Sequence, residues 1–425
     1  MIIEFSVENF RSINEKQAIS FASTSDKTSK ELLTVGFKKD IRINKLITFY
    51  GPNASGKSNM LRALYTVFAL LFKPYFTREE KVIYTPFALN IGKPTQMYVS
   101  FFSRSVKYDY SIKYCDTHII SEKLEYAPNN VISLFYERAF TSKDQPPKIE
   151  FGSTLQLSAK TKNDFITNTL NNHTVLSTFG KISADKDAKP IATLYNWIKK
   201  YVHNINGDGY RGLNDKLQEI SQNKDKKQFF INALKQADLN IVDFHSKTLD
   251  KNDLLQDIKS STFIKNISDE EIKNILSGKY YETLFTSSSA KGNFDISIDY
   301  QSIGTLKYIN QLFLLYDMIE GNHIYFLDEL GDDLHHDLLL YYLTQFIMNS
   351  KKSQLFFTTQ DLQLLDEDFM RRDMVYLVDK ATETAATTVK RASEFGLHKN
   401  LSLLNAYKAG RLGAKPSTGS PFIEK

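Results

Sequence analysis

A segment in the N-terminal part of the chain, residues 51–58, has the spacing of a phosphate-binding loop. Its residues read Gly-Pro-Asn-Ala-Ser-Gly-Lys-Ser, which matches the pattern G-x-x-x-x-G-K-[ST] at every position. Glycines let backbone N–H groups turn toward phosphate oxygens, and the N-terminus of a following helix adds partial positive charge. We expect Lys57 to neutralise the β- and γ-phosphates of a nucleotide and Ser58 to complete a Mg²⁺ shell. The other loop residues expected to contact the phosphates are Asn53, Ala54, Ser55 and Gly56.

Two adjacent carboxylates follow an apolar run much farther along the chain. The run at 323–327 ends in Asp328 and Glu329. A carboxylate at the end of a neighbouring strand holds the metal in sites of this kind, so we predict that Asp328 binds Mg²⁺ together with Ser58. Glu329 is predicted to polarise the attacking water as a general base. Taken alone, an apolar strand that ends in two acids also fits an ordinary strand followed by a polar turn.

A short loop at residues 301–305 opens a helical pattern shortly before the two acids. Its Ser-x-Gly-Thr order offers a hydroxyl and backbone donors at a helix N-terminus, which is a second anion site. Because it is poorly placed to reach the phosphates of its own chain, we predict that Ser302 and Gly304 contact the γ-phosphate held by a second copy. The same pattern also fits a plain helix cap.

The elements that must position these residues follow from periodicity. Alternation over 3–7 predicts a strand, and the β-prone run 45–50 predicts another that ends at the phosphate-binding loop. Apolar residues at helical spacing over 60–71 and over 306–319 predict a helix after each loop. The order strand, loop, helix is the one that the phosphate-binding motif requires.

The middle of the chain divides into two patterns. Alternating segments separated by turn residues predict an antiparallel meander over 97–138. A region rich in Asn, Lys and Asp predicts a helical insertion over 155–284, and strand signals resume at 294–298. We therefore expect an N-terminal half at 1–154, the insertion, and a C-terminal half at 285–425.

The composition is that of a folded chain of ordinary charge. The 23 Tyr and 30 Phe among 425 residues exclude a disordered chain. A net charge of +5 allows contact with nucleic acid but does not argue for it. One cysteine excludes an internal disulfide, and the lack of a signal sequence or long apolar segment predicts a cytoplasmic protein without membrane contact.

The order of these motifs resembles that of ABC-type ATPases. The segments that carry the likeness are Asn9-Phe10-Arg11-Ser12, 51–58, 301–305, Asp328-Glu329, Leu334-His335 and 358–361. The chain resembles the stand-alone branch known as AAA-family or abortive-infection ATPases. That branch is related to the ATPase half of overcoming-lysogenization-defect proteins and, more distantly, to the SMC and RecF groups. The likeness covers roughly residues 1–150 and 285–415.

The resemblance implies an α/β fold, namely a P-loop NTPase of ABC-ATPase type with an antiparallel β-meander subdomain and a helical insertion. It also implies ATP and Mg²⁺ as cofactors, and a homodimer or higher homo-oligomer formed through ATP. In that dimer the nucleotide lies between Lys57 of one chain and Ser302 and Gly304 of the other. Many members act in bacterial antiphage defence, so the implied partners are a separate effector nuclease or toxin and a trigger that is DNA or a phage protein.

The chain departs from the family where relatives place a switch histidine. The residue that follows the last core strand here is Gln360, which can hydrogen-bond the γ-phosphate or the attacking water but cannot hold a proton. We therefore expect Gln360 to act beside Glu329 in slow hydrolysis. Gln96 is the candidate for the glutamine with which the family contacts its metal.

Three arginines in the closing segments, Arg371, Arg372 and Arg411, are predicted to contact a partner, with exposed positions at a helix end as the alternative. Two other functions remain open at this point. One is a DNA repair or recombination factor whose closed dimer clamps duplex DNA through a basic stripe on the insertion. The other is a scaffold that binds ATP with little turnover.

Overall fold

The chain divides into two compact units in a computed structural model. The structure describes residues 1–38, 41–183, 186–205, 212–250, 280–398 and 401–416. The first unit comprises Met1–Gly207, Asp317–Gly331 and Leu343–Lys425. The second unit comprises Asp208–Tyr316 and Asp332–Tyr342.

The described residues contain both strands and helices. The strands are β1 (Ile2–Glu8), β2 (Gln17–Ser20), β3 (Thr34–Lys38), β4 (Ile41–Asn44), β5 (Leu46–Tyr50), β6 (Thr95–Ser103), β7 (Val106–Tyr114), β8 (Ile119–Ala127), β9 (Ser133–Ala139), β10 (Lys148–Phe151), β11 (Val202–Ile205), β12 (Ile241–Thr248), β13 (Tyr281–Ser289), β14 (Gly292–Ser297), β15 (Ile324–Leu327), β16 (Gln354–Thr358), β17 (Val375–Lys380) and β18 (Thr387–Arg391). The α-helices are α1 (Lys30–Leu33), α2 (Lys57–Phe72), α3 (Ala159–Asn168), α4 (Val175–Thr178), α5 (Lys189–Tyr201), α6 (Leu213–Ser221), α7 (Lys224–Gln236), α8 (Ile303–Glu320), α9 (His336–Asn349) and α10 (Leu403–Lys408).

A six-stranded sheet forms the centre of the first unit. Its order is β11-β15-β16-β5-β17-β18, and every neighbouring pair is parallel except β17 and β18. The strands β5, β15 and β16 are buried along their whole length. Continuous burial is typical of parallel strands that are covered on both faces. Because parallel strands end at one edge, residues that follow β5, β15 and β16 lie close together.

A seven-stranded antiparallel sheet accompanies the parallel one in the same unit. Its order is β10-β9-β8-β7-β6-β1-β2, so the consecutive strands β6 to β10 form a meander. The buried amide of Gln354 links the two sheets, because Nε2 donates to the carbonyls of Ile2 at 3.1 Å and Asn44 at 3.1 Å. Its Oε1 accepts the Ile2 N–H at 2.6 Å. The predicted meander and the predicted strands over 3–7 and 45–50 are therefore confirmed.

The second unit combines helices with a three-stranded antiparallel sheet. Helices α6 and α7 pack against β12, which pairs with β13, and β13 pairs in turn with β14. Strand β14 confirms the strand signal predicted at 294–298. Helix α8 confirms the helix predicted after the Ser-x-Gly-Thr loop.

The region predicted as a helical insertion, 155–284, does not coincide with either unit. Helices α3, α4 and α5 belong to the first unit, where α5 packs against α2 through its buried face. Strand β11 follows α5 and pairs with β15 as the edge of the parallel sheet. A helical period marked α5 correctly, but four residues at the edge of a sheet leave too short a pattern for recognition. Residues 251–279 lie outside the described part of the chain.

The architecture confirms the predicted α/β class. Within the described ranges, no helix is both long and apolar enough to cross a membrane.

Candidate active site

The phosphate-binding loop lies between the central strand β5 and helix α2. Helix α2 begins at Lys57, and Gly56 is its N-cap. Two loop positions are left-handed, since φ is 63° at Ala54 and 111° at Gly56. Left-handed positions of this kind turn backbone N–H groups toward one side and create a concave anion site. Because the N-cap is glycine, it carries no side chain that would occupy the N–H groups of the first helical turn.

Polar side chains support the loop from behind. Thr387 Oγ1 donates to the Ser55 carbonyl at 2.7 Å and lies 2.7 Å from Ser12 Oγ. Asn59 Nδ2 donates to the same Ser12 Oγ at 2.8 Å. A Cβ on Gly56 would lie 2.1 Å from Thr387 Oγ1, so the site requires glycine for space as well as for its positive φ.

The loop carries positive charge on its inner side. Lys57 Nζ donates to the carbonyl oxygens of Gly51 at 2.8 Å and Pro52 at 3.0 Å, which places the ammonium over the loop. Nearby, partial burial lowers the pKa of Arg11, and the positive charge of Arg62 lowers it further. The electrostatic environment therefore favours an anion.

Asp328 joins the ends of three parallel strands. Its Oδ1 accepts hydrogen bonds from Ser58 Oγ at 3.0 Å and from Thr358 Oγ1 at 2.7 Å. Thr358 Oγ1 also accepts the backbone N–H of Glu329 at 2.8 Å. Asp328 follows β15, Thr358 ends β16, and Ser58 lies in the first turn after the β5 loop, so the shared strand edge brings these oxygens together.

The predicted catalytic side chains face the same cavity. Glu329 and Gln360 are exposed, and Glu329 is left-handed with a φ of 57°. The cavity has a volume of about 350 Å³. It is lined by Asn53, Ala54, Gly56, Lys57, Ser58, Asn59, Asp328, Glu329, Thr358, Thr359 and Gln360. Next to this wall, burial raises the pKa of Tyr50, whose hydroxyl donates to the Asp361 carbonyl at 3.0 Å.

The donor set fits a triphosphate with Mg²⁺. Ser55 is buried, and its Oγ has no hydrogen-bond partner among the described residues, which leaves a donor inside the loop. The hydroxyl of Ser58 and the carboxylate of Asp328 are oxygen ligands of the type that Mg²⁺ prefers. In the described part of the chain, no group of three or more His, Cys, Asp or Glu side chains is placed to hold a metal. A cation here would therefore complete its shell with nucleotide and water oxygens.

Ser302 and Gly304, the residues predicted to act on a second copy's nucleotide, lie in the second unit. Ser302 is exposed, and its Oγ accepts the Thr305 N–H at 3.1 Å, which is a helix-capping contact at the start of α8. A Cβ on Gly304 would lie 2.7 Å from the Asp333 carbonyl oxygen, so glycine is needed where that backbone packs on α8. In this structure Ser302 therefore acts as a helix cap, which was the alternative interpretation of the loop. Its contact with nucleotide stays a prediction.

The arginine predictions need correction. Arg371 is neither exposed nor available to a partner, because its side chain is 1% exposed and its Nε donates to Asp373 Oδ1 at 3.0 Å. Arg372 donates to the carbonyls of Leu397 at 2.7 Å and Leu401 at 2.8 Å, which ties two segments of its own chain together. Arg411 is exposed, as the alternative predicted.

Gln96 is not placed for the metal role proposed for it. It lies on β6 and faces a cavity on the antiparallel sheet, which it shares with Lys113 and Lys123. It is not among the described residues that line the cavity beside Lys57.

Sequence reasoning missed the residues that hold the site in place. Thr358 bridges Asp328 and Glu329, and Thr387 donates to the Ser55 carbonyl of the loop, but neither has a motif of its own. The sequence did contain one indication of Thr358, because a hydroxyl residue ends the buried run 354–358. Thr387 lies on an antiparallel edge strand far along the chain, so only the fold reveals it.

Residues 46–366, about three quarters of the chain, match the family described as "AAA domain, putative AbiEii toxin, Type IV TA system". No curated protein matches the sequence.

Two solved structures of SMC heads are similar to this chain at low identity. One is the Smc head bound to the C-winged helix domain of ScpA, with 14% identity, a TM-score of 0.41, and coverage of 96% of this chain and 99% of that chain. The other is the SMC head domain from Thermotoga maritima, with 11% identity, a TM-score of 0.40, and coverage of 92% of this chain and 98% of that chain. Both likenesses are too distant to bear on function. The loop, strand order and family match confirm a P-loop NTPase fold.

Proposed function

Since the chain belongs to the AAA-domain family that its sequence matches over residues 46–366, we propose that it binds and hydrolyses ATP as a nucleotide switch. The observation that carries the proposal is the contact of Asp328 with Ser58 and Thr358 beside Lys57 in one cavity. An oxygen cluster next to a lysine-bearing anion loop is the arrangement that phosphoryl transfer requires.

The loop residues hold the substrate's phosphates. The backbone N–H groups of residues 53–58 cradle the phosphate oxygens, and Lys57 neutralises the β- and γ-phosphates. Lys57 must first release the carbonyls of Gly51 and Pro52, so binding exchanges two neutral acceptors for charged ones.

Ser58 and Asp328 are the residues that would hold Mg²⁺. When bound, Mg²⁺ offsets the negative charge that the phosphates carry and develop during transfer. Asp328 is held in place for this role by Thr358, whose hydroxyl keeps one carboxylate oxygen oriented.

Glu329 and Gln360 act on the water. Glu329 accepts a proton from the attacking water, whose oxygen bonds to the γ-phosphorus as the bond to the β–γ bridging oxygen breaks. The products are ADP and inorganic phosphate. Gln360 orients the water or the γ-phosphate by hydrogen bonding and cannot take the proton, so we expect slow turnover.

ATP binding favours a closed homodimer, or a higher homo-oligomer of such pairs. The exposed Ser302 and the neighbouring Gly304 of one copy contact the γ-phosphate in the other copy's loop. Hydrolysis removes the charge that both chains contact, so the closed state loses its differential stabilisation. The cycle is therefore a switch.

We place this switch in bacterial antiphage defence as the sensor or regulator of a separate effector nuclease or toxin. Support comes from the description of the matched family, which includes a putative toxin of a type IV toxin–antitoxin system. The trigger is DNA or a phage protein, and the protein works in the cytoplasm. The rival function is a DNA clamp through a basic stripe on the predicted insertion 155–284, whose described residues contain 13 Lys against 9 Asp and Glu; a steep salt dependence of DNA binding would favour it.

The test compares ATP turnover by wild type, Glu329→Gln and the control Glu150→Gln, an exposed carboxylate on β10. We expect Glu329→Gln to lower turnover roughly a hundredfold or more and to prolong an ATP-dependent dimer seen by light scattering. Glu150→Gln should behave as wild type. Equal, near-zero rates for all three proteins would leave a scaffold that binds ATP without using it.

A further inference from the structure

A second cavity in the first unit lies at the edge of the parallel sheet opposite the phosphate-binding loop. Its volume is about 320 Å³, within the range of small-molecule sites. It is lined by residues that precede β15 and β16, Asn322 and Lys352, whereas the loop follows the opposite end of β5. A ligand in this cavity would therefore not share the phosphate-binding loop.

The walls of this cavity are aromatic. Phe37 and Phe102 stack with ring centroids 4.3 Å apart and an interplanar angle of 5°. Trp197 and Tyr201 lie on α5 and form another wall, with centroids 6.4 Å apart. Flat rings of this kind recognise planar, apolar groups by stacking and by burial of area.

The rim carries positive charge only. Arg104 and Lys352 are exposed and line the cavity. No Asp or Glu belongs to its lining within the described residues. Two cations without a neighbouring carboxylate attract an anionic group and repel a cationic one.

The aromatic walls are held rigidly before any ligand binds. Trp197 is 6% exposed and stacks on Phe101 with centroids 5.7 Å apart and an angle of 8°. Phe101 in turn packs edge-on against Phe68 of α2 at 5.3 Å. A wall fixed from behind loses little conformational entropy on binding, which favours a specific ligand site over a surface depression.

We propose that this cavity binds a small molecule that combines a planar aromatic ring with a negatively charged group. The ring lies against Trp197 and Phe102, and the anionic group contacts Arg104 and Lys352. Carboxylates and phosphates share the required charge, and the competition experiment below separates these two.

The probe is 1-anilinonaphthalene-8-sulfonate, and the reporter is Trp197, the one tryptophan in the sequence. With excitation selective for tryptophan, we expect saturable, one-to-one quenching of Trp197 emission by energy transfer to the probe. The neutral counterpart N-phenyl-1-naphthylamine has nearly the same rings without the sulfonate, and we expect it to bind at least about tenfold more weakly.

Two exposed lysines give a matched pair of variants. Lys352→Gln and Arg104→Gln should each weaken probe binding about fivefold. Lys351→Gln removes the same charge from the adjacent, equally exposed residue, which is not among the described lining residues, and should leave binding unchanged. All three substituted side chains are exposed, so folding should not be affected.

Competition identifies the anionic group. Displacement of the probe by 1-naphthyl phosphate at lower concentration than 1-naphthoate assigns a phosphate, and the reverse order assigns a carboxylate; either result supports the proposal. Failure of both to displace the probe would overturn it. So would equal affinity for the neutral counterpart, or identical behaviour of Lys352→Gln and Lys351→Gln.

Discussion

The two units present their predicted nucleotide contacts in opposite ways. In the first unit, Ser58, Asp328 and Thr358 are joined by hydrogen bonds and face one cavity. In the second unit, Ser302 is exposed and its hydroxyl caps its own helix. Convergent strand ends therefore bring the polar groups of the first unit together in one cavity, whereas Ser302 in the second unit lies on the surface.

The two units also differ in the net charge of their described residues. The described residues of the first unit contain 37 Lys and Arg against 28 Asp and Glu, and those of the second contain 8 against 12. The net positive charge of the described residues in the first unit favours the approach of an anion to the unit that carries the loop. In the second unit, the predicted nucleotide contact rests on local donors at a helix N-terminus rather than on net positive charge.

The largest effect is expected at the junction of strands in the first unit. Asp328→Asn keeps an acceptor for Ser58 and Thr358 but removes the charge that would hold Mg²⁺, so ATP turnover should fall roughly 10²- to 10³-fold. Steady-state phosphate release measures it. The control Asp361→Asn concerns a carboxylate outside the described cavity lining and should retain turnover; a matching loss there would remove the special role of Asp328.

A smaller effect, on ATP-dependent dimerisation, is expected from changes at the exposed Ser302 of the second unit. Ser302→Asp preserves a good helix cap but places a negative charge where the partner's γ-phosphate should lie, so ATP-dependent dimerisation should weaken about a hundredfold. Ser302→Asn preserves the cap without the charge and should weaken it far less. Sedimentation with ATP measures both, and equal dimerisation by the two variants would contradict the contact across chains.

Two glycine substitutions compare a crowded position in the phosphate-binding loop with an uncrowded position elsewhere in the first unit. Gly56→Ala meets Thr387 Oγ1 and has a φ of 111°, so the free energy of unfolding should fall by about 2 kcal/mol. Gly92→Ala has a φ of 87° but no atom within 4 Å, so it should cost about 1 kcal/mol or less. Thermal unfolding of both variants measures the difference, and equal losses would show that Thr387 does not crowd the loop.

The smallest effect concerns the departure from the family pattern. Gln360→His introduces a side chain that can hold a proton at the cavity wall, so turnover should rise about fivefold. Phosphate release at saturating ATP checks this, with Gln363→His as a control outside the cavity lining. Unchanged turnover in Gln360→His would mean that proton handling at this residue does not limit the reaction.

The sequence predicted the positions of the motif residues in the fold better than the contacts that support them. The loop at 51–58, the pair Asp328 and Glu329, and the meander follow from local spacing, which a single sequence displays. Thr387 could not be predicted, because its contact with Ser55 joins residues that only the sheet topology brings together. Arg371 was misplaced for a related reason: an arginine in a polar segment predicts exposure, but Asp373 and Ser23 pair with it in the interior.

Periodicity in the sequence also could not predict how the region 155–284 is divided between the two units. Helix α5 showed its apolar face in the sequence, but which unit buries that face depends on α2 and on the pairing of β11 with β15. Apolar spacing predicts that a helix is amphipathic and leaves its partner open.

The most direct test of the nucleotide site is the affinity of Lys57→Ala for a fluorescent ATP analogue, measured by titration with Mg²⁺ beside wild type and Lys351→Ala. Circular dichroism and thermal unfolding of each protein establish that the fold is retained. The account predicts that Lys57→Ala binds at least about a hundredfold more weakly while Lys351→Ala binds as wild type does. A folded Lys57→Ala protein with undiminished affinity would contradict it.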